Sequence, residues 1–348
     1  MVYLSWEALS LLLSKSRVNK KRATLFLMLF LWILMAIRSI YMGVNDTSGV
    51  YLSGFLKCQI YSLQDALYEK IFINEPLMTS FTWVCSRIMS YQMYIALYSL
   101  LPILSFYSFI CKNTIKPIYG VIVFFTFFYF YQSYLLKQML ALSVVLYAFD
   151  SLKQKKFIKY IMIIIFAGLI HKSAFILIPV YFLCKYIKFN KYFFVFTIAG
   201  MMFGMFFGQY ILDILYKMSF YNFESYIKNG IYGLNGKINL SMFIYIFLTF
   251  FCYFFAKRYK KIEEYNDYLV FMFFGCVLNS WSTVVVEFYR MALYFICPVC
   301  VLLPESLENI PRKYKSVTTV IVISFLFLYA FKIAINCNCL PYHTFLSD

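Results

Sequence analysis

Five polar groups stand at the ends of apolar runs, and their side chains are those of anion binding and proton transfer. They are Arg38 with Asn45 and Asp46, Glu75 with Arg87, Lys137 with Gln138, His171 with Lys172, and Glu287 with Arg290. A charged side chain in a membrane segment is costly unless it reaches an interface, a cavity or a partner. Guanidinium forks match phosphate oxygens, and a carboxylate or imidazole can orient or deprotonate a hydroxyl. Together the groups describe a cavity with a cationic lining and a few carboxylates. A diphosphate on a lipid carrier is one anion it could take. Tyr129, Tyr131, Tyr134, Tyr221, Tyr226 and Tyr232 crowd the neighbouring turns and could stack on sugar rings.

Plainer roles stay open for each residue. Arg38, Arg290 and Lys137 can snorkel to headgroups. His171 can be a satisfied histidine at a helix end. Asp46 can cap the next helix, which does not exclude a ligand role. The chain has no Gly-rich phosphate loop, no serine nucleophile elbow and no metal-ligand spacing. It also lacks Asp-x-Asp, so a sugar transferred here is not expected to come from a cytoplasmic sugar nucleotide. Of the ten cysteines, Cys297 with Cys300 and Cys337 with Cys339 look like ligand pairs. A zinc site needs further ligands, and only His171 and His343 are available. The first pair reads as small apolar filler, the second as a candidate redox pair near the C-terminus.

The elements that must position these groups are apolar. The chain has 348 residues, 63% hydrophobic and 14% charged, with a mean hydropathy of +0.74. That balance, with recurrent apolar runs, excludes a soluble protein and predicts an all-α, polytopic membrane bundle. The runs are continuous rather than alternating, which excludes a transmembrane barrel. The net charge of +17 invites a nucleic-acid partner, but most of the lysines and arginines sit in short clusters between apolar runs, as cytoplasmic loops do; no nucleic acid is expected. Met1 to Leu13 contains Glu7 and lacks a basic start, so no cleavable signal is expected there. Richness in Lys, Ile, Phe, Tyr and Asn points to a bacterium.

The clusters Ser14 to Arg22, Lys112 to Lys116, Lys153 to Lys159, Lys185 to Lys191, Lys257 to Lys261 and Arg312 to Lys315 are expected inside. Ala23 to Tyr41 then spans outward and puts Arg38 to Tyr51 outside. Leu77 to Ser90 is expected to be interfacial or re-entrant. Two short apolar helices, Tyr160 to Ile170 and Ser173 to Cys184, put His171 at an outward apex, and Asp213 to Lys237 is an outer loop. About 11 spans with short broken or re-entrant helices result, in one transmembrane domain over residues 1–348. The five polar groups then share the outer half.

These residues resemble a known family. The order Arg38, Gly43, Asn45, Asp46, Thr47, Tyr51 is similar to the Arg…Val-Gly-x-Asp-Thr…Tyr signature of the EpsG-like family of Wzy-type O-antigen and exopolysaccharide polymerases. Glu75-Pro76-Leu77 resembles its Glu-Pro helix start, Lys137-Gln138-Met139-Leu140-Ala141 its Arg-Gln-x-x-Ala segment, and Gly168 to Ala174 its histidine turn. Phe288 to Phe295 resembles its late Arg-x-x-x-Tyr-Phe helix, and Pro341-Tyr342 its tail. Glycine and valine are permuted before Asn45, and Lys137 stands in place of arginine, keeping the charge and losing the fork.

The resemblance implies a glycosyltransferase of the GT-C type in a bacterial cytoplasmic membrane, acting at the outer face. It would transfer a glycan chain from undecaprenyl diphosphate to a second lipid-linked repeat unit. Its partners would be those lipid-linked oligosaccharides, membrane lipid and a separate chain-length regulator protein. The scheme needs no metal or cofactor. Arg38 and Arg290 would take the diphosphate with Lys137 or Lys172 assisting, and Asp46 or His171 would activate the acceptor. Asn45, Glu75 and Gln138 would complete the substrate-binding set. A membrane O-acyltransferase acting on surface glycan and a lipid-linked oligosaccharide flippase are the alternatives. Against them stand the absence of a histidine before His171, and polar groups on one face without internal repeats.

Overall fold

The computed structural model describes residues 1–43, 46–217, 240–282 and 287–347. The described residues form helices joined by short turns, with one isolated antiparallel bridge between Arg38 and Thr344. Among the described residues, three helices are long and apolar enough to cross a membrane: Tyr91–Asn113, Leu240–Arg258 and Arg312–Asn336. A fourth span results if Glu287–Ile296 and Val299–Glu308, bent by 52°, count as one. The roughly 11 apolar runs read from the sequence are therefore not matched by as many long helices. Many are divided into shorter pieces, because the backbone breaks inside apolar sequence where hydropathy does not change.

Two breaks matter for the site. Residues 117–133 run as an α-helix (Pro117–Phe124), then a π-turn (Phe125–Tyr129), then a 3₁₀ turn (Phe130–Ser133). Widening then tightening the backbone this way is common near functional sites. The expected helix from Ser173 to Cys184 is also divided, into a 3₁₀ stretch, Lys172–Leu177, and a short helix, Val180–Tyr186. Pro179 stands between them and cannot donate to a continuing helix.

The chain forms two compact units, residues 1–178 with 303–348, and residues 179–302. In the first, caps and prolines set the helix starts. Asn19 accepts from the backbone of Lys21 and Arg22, Ser62 from Asp65 and Ser90 from Met93, while Pro76 and Pro117 occupy first-turn positions where no N–H is needed. Its core is aromatic: Trp6 stacks on Phe125 at 4.5 Å, and its indole N–H donates to Leu27 O. The loops expected inside bond to one another. Lys112 pairs with Asp150 at 2.6 Å, Glu305 accepts from Thr114 and Ile115, and Glu308 pairs with Lys116 and Lys315. The segments expected outside gather separately, as described below.

In the second unit, Asn266 ties the helix Ile262–Trp281 to the loop after Val180–Tyr186, accepting from Phe189 N and donating to Ile187 O. Trp281 lies against Gly204 and donates to Gly200 O at 2.7 Å. Cys297 and Cys300 are buried among apolar neighbours, the first donating to Tyr294 O, as filler would be.

Candidate functional site

Glu75 precedes Pro76, which disfavours helical backbone at the residue before it. It takes the N-cap position of the helix Pro76–Ile88 in a non-helical conformation and makes no cap bond with its side chain. The carboxylate is thus directed away from its own helix. Its Oε2 lies 2.5 Å from Lys137 Nζ and its Oε1 2.5 Å from His171 Nδ1, with only 1% of the side chain exposed. An ionised carboxylate can only accept, so Nδ1 carries a proton whether the ring is neutral or charged, and Nε2 is the nitrogen that can gain or release one. Burial by itself would raise the carboxyl, but the hydrogen bond from His171 and the charges of His171 and Lys137 outweigh it. Glu75 titrates below the ordinary carboxylate range.

Lys137 is the second residue of the helix Leu136–Val145, where a cation opposes the helix dipole. Glu75 offsets that, and the Lys137 backbone N–H, an orphan of the helix start, donates to Tyr51 Oη at 3.3 Å. Its ammonium also stands 5.5 Å from the Phe72 ring, within cation–π reach. Phe72 is packed between Tyr51 and Gly54.

His171 ends the helix Phe157–Ile170, its N–H bonded to Ala167 O at 2.9 Å, and opens the 3₁₀ turn. The turn folds back on its own helix because Gly168 has no side chain: a Cβ there would meet Phe175 at 2.3 Å. Lys172 follows, half-buried. Burial pushes its ammonium below the ordinary lysine range and Lys137 pushes it further, against an upward pull from Glu75. One carboxylate thus faces two lysines and an imidazole.

Arg38 is placed differently from its expected role. The side chain is 1% exposed. Nη1 donates to Ser39 O and Met42 O, and Nη2 to Ser133 O at 3.1 Å. Thr47 donates to the same Ser133 carbonyl at 2.5 Å, and Tyr91 donates to Thr47 O. Gly43, at φ +98°, lies so close to Ser133 that a Cβ would meet its Oγ at 3.0 Å. The C-terminal tail closes the knot. Ser39 N donates to His343 O, Gly43 N to Asn338 O, Phe345 N to Ile37 O and Tyr342 Oη to Leu34 O. Cys339 Sγ meets Ser133 Oγ at 3.3 Å. Arg38 therefore holds backbone together, and its buried fork is directed at carbonyls rather than at a substrate.

The stretch 38–51 reaches the cluster through both ends. Arg38 and Thr47 hold the turn at Ser133, and Tyr51 holds the helix start at Lys137. Phe72 and Ser133 are positioning residues that sequence reasoning missed; Thr47 and Tyr51 stood in the family signature but were given no role there.

Other expectations divide. Arg87 does not pair with Glu75. It donates to Gln59 O and Tyr61 O and stacks on Trp83, because Glu75 starts the helix whose last turn carries Arg87. Asp46 precedes the π-turn Thr47–Tyr51 and makes no side-chain cap bond there. Gln138 is buried beside Lys137. Tyr129 and Tyr134 are buried, Tyr129 donating to Leu31 O, so they are packing groups rather than sugar platforms. In the second unit Arg290 pairs with Glu287 at 3.1 Å, as their spacing suggests. Residues 213–217 continue the helix Phe193–Lys217 rather than opening a loop. Asn45, Tyr221, Tyr226 and Tyr232 lie outside the described residues.

Apolar helices around a buried carboxylate shared by a lysine and a histidine mark a membrane protein with a buried polar cluster. The EpsG family model matches residues 21–344, nearly the whole chain, and the chain belongs to that family. Neither the curated proteins nor the solved structures contain a significant match.

Proposed function

We propose that this protein is a polysaccharide polymerase that lengthens a lipid-linked glycan, whether O-antigen, capsule or exopolysaccharide, at the outer face of a bacterial cytoplasmic membrane. The donor is a glycan chain on undecaprenyl diphosphate, and the acceptor is the terminal sugar of another lipid-linked repeat unit. The observation that carries this reading is Glu75 buried between Lys137 and His171, 2.5 Å from each, in a chain of the EpsG family.

The chemistry follows from that arrangement. The acceptor hydroxyl gives its proton to His171 Nε2 as its oxygen bonds to the donor's anomeric carbon. Glu75 holds the imidazole in the required tautomer and stabilises the imidazolium. The bond from the anomeric carbon to the diphosphate oxygen breaks, and the electron pair leaves on the diphosphate. Lys137 and Lys172 are the cations beside the carboxylate, and they stabilise that leaving group. His171 is proposed as the base because Glu75 holds its Nδ1 and leaves Nε2 for the acceptor. Arg38 acts as a positioning residue for the cluster. Arg290 is proposed for the diphosphate on its family segment alone.

Deletion of the gene followed by gel analysis of the surface glycan tests the class. A polymerase mutant keeps a single capped repeat unit, a flippase mutant loses it, and an acyltransferase mutant keeps full-length chains without acyl groups. Complementation with His171→Ala is expected to leave the single-repeat phenotype. Full-length glycan from that strain would rule out His171 as the base.

A further inference from the structure

The knot around Arg38 leaves a cavity of about 270 Å³ between the loop after the helix Lys20–Ala36 and the C-terminal tail. Ser39, Tyr41, Asn338, Pro341 and His343 contribute to its lining. Among the described residues that line it, none is Lys, Arg, Asp or Glu. Its chemistry is thus unlike that of the charged cluster at Glu75. The Asn338 carboxamide, whose nitrogen also donates to Gly43 O at 3.5 Å, and the His343 imidazole supply donors and acceptors without a fixed charge, while the buried Ser39 hydroxyl accepts from Tyr41 N. Tyr41 is 65% exposed beside them and offers an aromatic face. Groups of this kind match a neutral polyhydroxy ring, which has hydroxyls to bond and an apolar face to stack. The volume lies below the range typical of drug-sized ligands, so it suits about one sugar residue.

The walls are held in place before any ligand arrives. Ser39 O and Met42 O accept from the buried Arg38, Ser39 N donates to His343 O, and Gly43 N donates to Asn338 O. A site whose walls are already ordered loses less entropy on binding. We propose that this cavity is a saccharide subsite, taking an uncharged sugar of the lipid-linked glycan at a place separate from the charged cluster. The sugar's identity as part of a polymerase substrate rests on the function proposed above; the existence of the subsite does not.

Binding is measured by saturation-transfer NMR on the purified full-length protein in detergent. The probe is the oligosaccharide released by mild acid from the producing cells' own lipid-linked repeat units. The wild type is expected to bind it, and Tyr41→Ala and His343→Ala each to weaken binding about fivefold or more, with inorganic pyrophosphate not competing. No binding to the wild type, unchanged binding in both alanine variants, or displacement by pyrophosphate would each overturn the subsite. If an alanine variant does not fold, Tyr41→Trp decides: its fluorescence must respond to the oligosaccharide. Because no turnover is needed, failure of the polymerase function appears separately, as a wild-type enzyme that binds the oligosaccharide and extends no donor.

Discussion

Glu75 faces Lys137, His171 and, through space, Lys172, so replacing it by an isosteric amide changes charge without changing shape. Glu75→Gln removes the partner of the imidazolium and the negative charge that faces both lysines. Polymer formation is expected to fall by a factor of about 10² to 10⁴, the range for loss of general-base function, in an assay of glycan chain growth. The same variant reports on acidity. The folded-state pKa of Glu75 is depressed, so its contribution to stability is complete above the unfolded carboxylate value and is lost as pH falls through the folded one. Melting in detergent should show no loss from Glu75 between about pH 7 and pH 5. Below about pH 4 the wild type should lose more stability than Glu75→Gln. Lys172 behaves oppositely. Its depressed value means the charge is disfavoured in the fold at neutral pH and relieved as pH rises. An anion beside it offsets that penalty, so inorganic pyrophosphate is expected to raise the melting temperature of the wild type and much less that of Lys172→Ala.

At the scale of elements, the turn that carries His171 depends on how closely it can fold onto its own helix. Gly168→Ala should favour the isolated helix by about 1 kcal/mol. Here the new methyl would meet the Phe175 ring, 2.3 Å away, and overpacking of that kind costs about 1–3 kcal/mol. Lower melting and a larger loss of polymer are expected, with partial recovery in Gly168→Ala combined with Phe175→Leu. Gly49→Ala is the control, since nothing stands within 4 Å of the added atom, and it should melt no lower than the wild type. Equal effects from both alanines would mean that the contact with Phe175 does not set the turn. The short helices have the same logic. Pro76 at a helix start turns Glu75 aside, and the tightening at residues 130–133 presents the Ser133 carbonyl to Arg38 and Thr47.

On the scale of the molecule, residues 37–43 with Thr47, the turn at Ser133 and the tail 338–345 are one fastening centred on Arg38. A lysine keeps the charge but cannot reach three carbonyls in a plane. Arg38→Lys is therefore expected to melt several degrees lower, consistent with buried charged hydrogen bonds worth about 1.5–3 kcal/mol each. Its response to pyrophosphate should stay close to that of the wild type. The reverse result, normal melting with the pyrophosphate response lost, would return Arg38 to the role of a substrate ligand.

Hydropathy was enough to read a helical membrane protein, because burying backbone in lipid requires helices whatever the side-chain detail. The ordered set from Arg38 to Tyr342 was enough to read the family. Lys137, Gln138, His171 and Lys172 were legible as candidates because a charged or polar group beside an apolar run needs a reason. Their partners were not legible. Glu75 looked nearest to Arg87, yet it meets His171, 96 residues away, because pairing is decided by which helix ends the packing brings together. Burial was the other unknown. Arg38 reads the same in sequence as a ligand or as a fastening, and only the tertiary structure surrounds it with carbonyls and closes the tail over it.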